Sequence, residues 1–257
     1  MTKIIFMGSK PIGYRCLQYL IEQVSPLNLE IIGVFTKAQK HKLSSGEHNF
    51  ETLCKQHQIP CYFRLSDLLS LEKVNLIVSV QYHKILKQIH IDQAQQAAIN
   101  LHMASLPEYR GCNQFSFAIA NDATIFGTTL HLMTAGIDSG DILFEKRFPI
   151  PPNCFVQDLY KLTVEHSYAL FCSHIVDLVK QNYEPISQES LIATRGTSYH
   201  YRHEINELKK IDLTWEKDKI ERHFRATYFP PFEPPFTVIN GETVYLSKNW
   251  KEHESDV

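Results

Sequence analysis

The 257 residues are 44% apolar and 21% charged, with a formal charge of −2, which excludes extensive disorder and an affinity resting on nucleic-acid phosphates. The six cysteines (Cys16, Cys54, Cys61, Cys112, Cys154 and Cys172) form no Cys-x-x-Cys pair, so no zinc site or disulfide framework is expected, and a reducing cytoplasm is the expected location. The chain opens on the strand-like run Lys3–Met7 without a signal-peptide pattern, and no apolar stretch approaches the ~20 residues that span a bilayer, so no membrane partner is expected.

In chain order, Ile4–Met7 is the first strand, and Gly8-Ser9-Lys10-Pro11 punctuates it. Ile12, Cys16, Leu17, Leu20 and Ile21 then recur at helical spacing over Ile12–Gln23. Ile31–Phe35 reads as a strand, Asn49–His57 as a helix, Cys61–Phe63 as a short strand, and Leu76–Val80 and Ala97–His102 as two more strands. Continuous apolar runs joined by helical crossovers predict a parallel, doubly wound, Rossmann-like α/β sheet, in which ligands gather at the carboxyl ends of the strands. A short helix, Gln114–Asn121, follows. Strands at Thr124–Met133 and Ile142–Pro149 flank the polar turn Ala135–Asp141, and a long helix at Val156–Gln181 closes the domain.

Past Glu184 the texture changes to polar turns, the aromatic run Tyr199–Arg202, and the Pro/Phe-rich run Phe229–Phe236. The latter reads as an aromatic–proline turn that packs a C-terminal appendage. Asn240-Gly241 marks a β-hairpin over Phe236–Leu246. The expected organisation is a catalytic domain over residues 1–185 and a small C-terminal region over 186–257 that contains the hairpin.

Residues 99–113, INLHMASLPEYRGCN, concentrate the chemistry. Strand alternation puts Asn100 and His102 on one face, about 7 Å apart along the chain. With Asp138 on the adjacent strand-end turn, a carboxylate joins an imidazole and an amide. An amide donor suits an oxyanion, a histidine suits proton transfer, and a carboxylate can orient that histidine. Together they describe acyl transfer without a protein nucleophile. Each residue alone has a bland alternative, a structural histidine or an ordinary turn aspartate. Gly8–Gly13 lacks the dinucleotide fingerprint and no P-loop exists. His83, His90, His200 and His203 have no metal-ligand spacing, so no metal is expected.

Asn100-x-His102, the loop Ser105-Leu106-Pro107-x-Tyr109-Arg110-Gly111, and Thr128-Thr129-x-His131-x-Met133 leading to Asp138-x-Gly140-x-Ile142 resemble the signature of formyltransferases that use N10-formyltetrahydrofolate. The resemblance covers roughly residues 1–180. It implies that Asn100, His102 and Asp138 are the catalytic trio. Where methionyl-tRNA enzymes usually read His-Gly/Pro-Ser-Leu-Leu-Pro, this chain reads His102-Met103-Ala104-Ser105-Leu106-Pro107. Glu108–Phe115 and Arg225–Phe232 instead resemble the sugar N-formyltransferases.

The implied reaction carries a formyl group from N10-formyltetrahydrofolate to the primary amine of a UDP- or dTDP-linked amino sugar. The donor is expected beside Gln81 and Tyr82 and along Ala104, Ser105, Leu106 and Pro107. Gly8 and Ser9 at a helix N-terminus, with Tyr109, Arg110, Asn113 and Arg225, are expected on the acceptor side, although Arg110 also reads as one half of a loop-stapling ion pair. Lys and Arg are nearly balanced by Asp and Glu over residues 195–257, unlike a tail that grips tRNA, so no nucleic-acid partner is expected. A methionyl-tRNA formyltransferase and a non-catalytic folate- or nucleotide-sugar-binding module stay open. A glycinamide-ribonucleotide transformylase fits the extra C-terminal region poorly. A homodimer is a possible assembly.

Overall fold

The structure, a computed structural model, describes residues 1–38 and 49–248. The first half builds β1 (Thr2–Gly8), α1 (Lys10–Glu22), β2 (Leu29–Phe35), α2 (Phe50–Gln56), β3 (Cys61–Tyr62), β4 (Val74–Val80), α3 (Gln88–Ile91) and β5 (Ala94–His102). Next come β6 (Arg110–Gly111), α4 (Gln114–Ala120), β7 (Ile125–Leu132), β8 (Ile142–Pro149) and α5 (Val156–Lys180). The remainder holds α6 (Glu189–Arg195), β9 (Tyr199–His200), α7 (Ile205–Lys209), α8 (Lys217–Thr227), β10 (Phe236–Ile239) and β11 (Glu242–Tyr245). No helix among the described residues is long and apolar enough to cross a membrane.

Seven strands form one sheet in the order β3-β2-β1-β4-β5-β7-β8. The five strands from β3 to β5 are parallel, as their apolar runs predict, whereas β7 and β8 run antiparallel. The sheet is therefore a doubly wound, Rossmann-like core with an antiparallel edge. The reason is local. The β7–β8 connection is a nine-residue turn too short for the crossover that a parallel pair needs.

Alternation divides the parallel strands between two apolar layers. Ile4, Phe6, Val78, Val80, Ile99 and Leu101 pack under α1 and α5 with Leu17, Leu20, Phe171 and Ile175. Ile5, Met7, Ile77 and Ala98 face a thinner layer with Leu68, Leu86 and Ile91. Asn100 and His102, two and four positions beyond Ala98, lie on the thinner side. Gly8 pairs with Val80, and Val80 with Leu101, so β1, β4 and β5 end in one row. Their carboxyl ends converge there, beside the β1 position where strand order reverses.

The C-terminal elements fold back over this edge. α8 packs on α4, with Ala226 buried in the cluster that holds Ala118, Ile119 and Phe126. Phe229 of the Pro/Phe-rich run meets Tyr160 and Phe232, which gives that run its packing role. Asn240 and Gly241 both have positive φ, the geometry of a two-residue hairpin turn between β10 and β11.

Candidate active site

The site grows from the end of β5. Asn100 pairs across the sheet with His131 of β7, and His102 with Thr129. The His102 Nε2 lies 2.7 Å from the Tyr109 carbonyl. A carbonyl only accepts, so Nε2 carries the proton and Nδ1 is the ring atom left to exchange one. Nδ1 lies 3.6 Å from Asp138 Oδ2, close enough to feel its charge but beyond a good hydrogen bond. His102 is 5% exposed.

His131 is fixed in the same way. Its Nδ1 donates to the Leu132 carbonyl at 2.8 Å, which leaves Nε2 to accept from Asn100 Nδ2 at 3.2 Å. This contact orients the Asn100 amide and leaves its second N–H for another partner. His131 Nε2 is also 3.6 Å from Asp138 Oδ1. One carboxylate thus faces two imidazoles while Oδ2 accepts the Gly111 N–H at 3.0 Å. Burial would raise the Asp138 pKa, but the charges of His102 and His131 and the Gly111 hydrogen bond hold it well below the ordinary 3.8.

Behind these groups lies a buried polar support. Thr128 Oγ1 donates to the His102 carbonyl at 3.0 Å and receives Ser167 of α5 at 2.7 Å. Thr129 Oγ1 donates to the Ala104 carbonyl at 2.8 Å. The loop after β5 is held from outside by residues 195–202. The Ser198 N–H reaches the Glu108 carbonyl at 3.0 Å and Arg110 N–H reaches the Ser198 carbonyl at 3.1 Å. Arg195 grips Glu145 through two bonds at 2.8 and 2.9 Å.

The structure brings Asn100, His102 and Asp138 together and adds His131. Other expected site residues fall into three groups. Ser9 donates its hydroxyl to the Gln81 carbonyl, so Gly8, Ser9 and Gln81 sit together at the strand-end row, with Gln81 at positive φ. The Tyr82 hydroxyl is buried without a partner, and burial pushes its pKa up to about 12. Ala104, Ser105, Leu106 and Pro107 turn inward and are buried. The carbonyls of Ala104, Leu106 and Pro107 are taken by Thr129, Arg195 and Thr197.

On the acceptor side, three expected side chains are committed to the protein. Arg110 donates to Thr197 at 2.7 Å, a loop staple made to a neutral hydroxyl and not the ion pair its alternative reading expects. Asn113 donates to the Tyr201 and Arg202 carbonyls at 3.2 Å each. Arg225 donates to the Cys154 carbonyl at 3.0 Å. This ties α8 to the loop before α5 and turns its guanidinium to that joint. Tyr109 packs its ring at a tilt against Phe126 and offers its backbone carbonyl to His102. Beside the Asp138 turn, a cavity of about 320 Å³ is lined by apolar Ile91, Ala97 and Met133 and by Thr134, Ser139 and Asp141.

The family model described as Formyl transferase matches residues 2–175. The chain is 27% identical to a GDP-perosamine N-formyltransferase of Brucella melitensis over 176 residues, 67% of this chain and 64% of that protein. It therefore spans less than two thirds of that relative. It is also 27% identical to the methionyl-tRNA formyltransferase of Geobacter sulfurreducens over 264 residues, 95% of this chain and 77% of the relative. In fold it resembles the N-formyltransferase from Helicobacter canadensis crystallised with folinic acid and dTDP-3-aminofucose, with a TM-score of 0.76 and 24% identity over 95% of this chain and 86% of that one. A 4-N formyltransferase from Francisella tularensis superposes with a TM-score of 0.77 at 19% identity, over 96% of each chain.

Proposed function

This chain belongs to the formyl transferase family, and we propose that it moves a formyl group from N10-formyltetrahydrofolate to the primary amine of a nucleotide-linked amino sugar in the cytoplasm. The observation that carries the acceptor class is the path of residues 186–211. They fold back onto the loop 105–113 through β6–β9 and onto β8 through the Arg195–Glu145 pair, which would wall the site for a small acceptor. The near-neutral balance of residues 195–257 separately argues against a tail that grips tRNA phosphates. A dTDP- or UDP-linked sugar is the narrower reading, and a GDP-linked sugar, in keeping with the Brucella relative, is its rival. A homodimer is the proposed assembly, with residues 1–185 as the catalytic domain and 186–257 as its appendage.

The residues present fit a folate-type donor. An orphaned buried hydroxyl at Tyr82 stands by the strand-end row, and the mixed apolar–hydroxyl cavity beside the Asp138 turn suits a flat heterocycle with a polar edge. When bound, the donor supplies an activated formyl group. Asn100, with one N–H tied to His131, would offer its other N–H to the formyl oxygen. His102, whose Nδ1 is the ring atom free to exchange a proton, would stabilise the same oxygen when protonated there. Asp138 would keep that imidazole oriented and help the proton shed by the amine pass to N10 of the departing tetrahydrofolate, whose bond to the formyl carbon breaks as the amine–formyl bond forms. Two preorganised donors at one oxygen are the largest contribution expected here, each worth about 10²–10³ in rate.

The test is incubation of the chain with N10-formyltetrahydrofolate and a panel of UDP-, dTDP- and GDP-linked amino sugars, read by mass spectrometry. One member gains a single formyl group. If none does while methionyl-tRNA is formylated, the tRNA reading replaces this one.

A further inference from the structure

Gln188 lies outside every motif in the sequence, yet it is 4% exposed and touches the catalytic turn. Its Nε2 donates to the Asp138 carbonyl at 2.8 Å and to the Gly140 carbonyl at 2.7 Å. Both protons of one amide nitrogen are thus spent on two carbonyls of the same turn. The opposite amide orientation would set Oε1 against two acceptors, so the hydrogen-bond network determines the orientation. Oε1 is left buried without a partner, a cost that a side chain serving only to fill space would not carry.

Two further observations show what the clamp holds. Asp138 has φ +49°, a left-handed conformation that a non-glycine residue keeps only when its surroundings impose it. Gln188 is itself delivered to the turn by reciprocal backbone bonds between Ile142 and Ile186, 2.8 and 2.9 Å long, which extend the sheet edge beyond β8. The carboxylate stands 3.6 Å from both imidazoles, so a small rotation of this turn changes both contacts.

We propose that Gln188 is a positioning residue that sets Asp138 against His102 and His131 from the C-terminal region, an inference that rests on the formyl-transfer reading above. The catalytic carboxylate is then held by a segment outside the strands that carry its partners.

The test uses Gln188→Met, which keeps length and volume but removes both donors. Kinetics employ N10-formyltetrahydrofolate and the nucleotide sugar that the wild type formylates. The ligand-free protein carries [13Cγ]aspartate for NMR titration. In the variant, kcat falls on the order of 10- to 100-fold, as misplacement by about 1 Å permits, while both KM values stay within about threefold. The Asp138 carboxyl also titrates at higher pH than in the wild type. Gln188→Glu has the same shape, but its ionised carboxylate faces two carbonyls, so its kcat declines relative to wild type as pH rises. A Gln188→Met enzyme with wild-type kcat and an unmoved Asp138 titration overturns the proposal, as does a Gln188→Glu profile parallel to wild type. Should the wild type formylate nothing, the functional reading fails and the titration alone decides the role of Gln188.

Discussion

Asp138 joins stability and chemistry in one side chain. Its folded pKa lies below the ordinary 3.8, so the unfolded chain takes up this proton first as pH falls. The stability this carboxylate contributes is complete above about pH 4 and is lost as pH drops through the folded value. Asp138→Asn should therefore be less stable than wild type at pH 6, and the two unfolding curves should approach one another between about pH 4 and 2. The same variant keeps the turn, since Asn tolerates left-handed backbone, but loses the charge between His102 and His131. Its kcat should fall at least about 10²-fold with little change in KM. Measuring kcat, KM and urea unfolding across pH checks both claims, and an unchanged kcat makes Asp138 a turn residue only. At this scale the sequence was partly legible. Alternation alone set Asn100 and His102 on one face, and a motif resemblance supplied Asp138. His131 lay in a quoted motif, but its role depends on the β5–β7 register, which no local pattern records. Gln188 follows the sheet at a position with no periodic signal at all.

The elements that repeat a hydrophobic period were readable in advance: β1, α1, β2, β4, β5 and α5 each lie within a few residues of their expected bounds. β6 and β9 were not, being two residues each and 89 positions apart at their first paired residues. α8 was missed although Ile220, Phe224 and Thr227 sit at i, i+4 and i+7, because charged residues dominate the run. These overlooked pieces make the strap over the loop 105–113, and Arg195 is its firmest attachment. Paired bidentately with Glu145, each side chain about a quarter exposed, it is stronger than an ordinary surface pair. Arg195→Met should lower stability by about 1 kcal/mol. It should also speed proteolytic cleavage within residues 189–202 well beyond what global unfolding explains. Wild-type cleavage kinetics there would mean that the strap is held by the β6–β9 pairing alone.

At the scale of the molecule, a Rossmann-like sheet presents three strand ends in one row, and the C-terminal region closes over them. The fold, and the gathering of Asn100, His102 and Asp138 at one strand end, were legible because hydrophobic period and motif order are local properties. The acceptor side was not, since Arg110, Asn113 and Arg225 spend their donors on loops distant in sequence. A wall built from residues 186–211 predicts that initiator methionyl-tRNA binds without submicromolar, salt-dependent affinity, which filter binding between 50 and 200 mM salt would check.

The most direct measurement is the initial rate of formyl transfer from N10-formyltetrahydrofolate, taken side by side with an amino-sugar nucleotide and with methionyl-tRNA, for wild type and a folded His102→Ala variant. The account predicts transfer to the sugar amine alone and a loss of at least about 10²-fold in the variant. Formyl-methionyl-tRNA as the only product, or a His102→Ala enzyme at the wild-type rate, would contradict it.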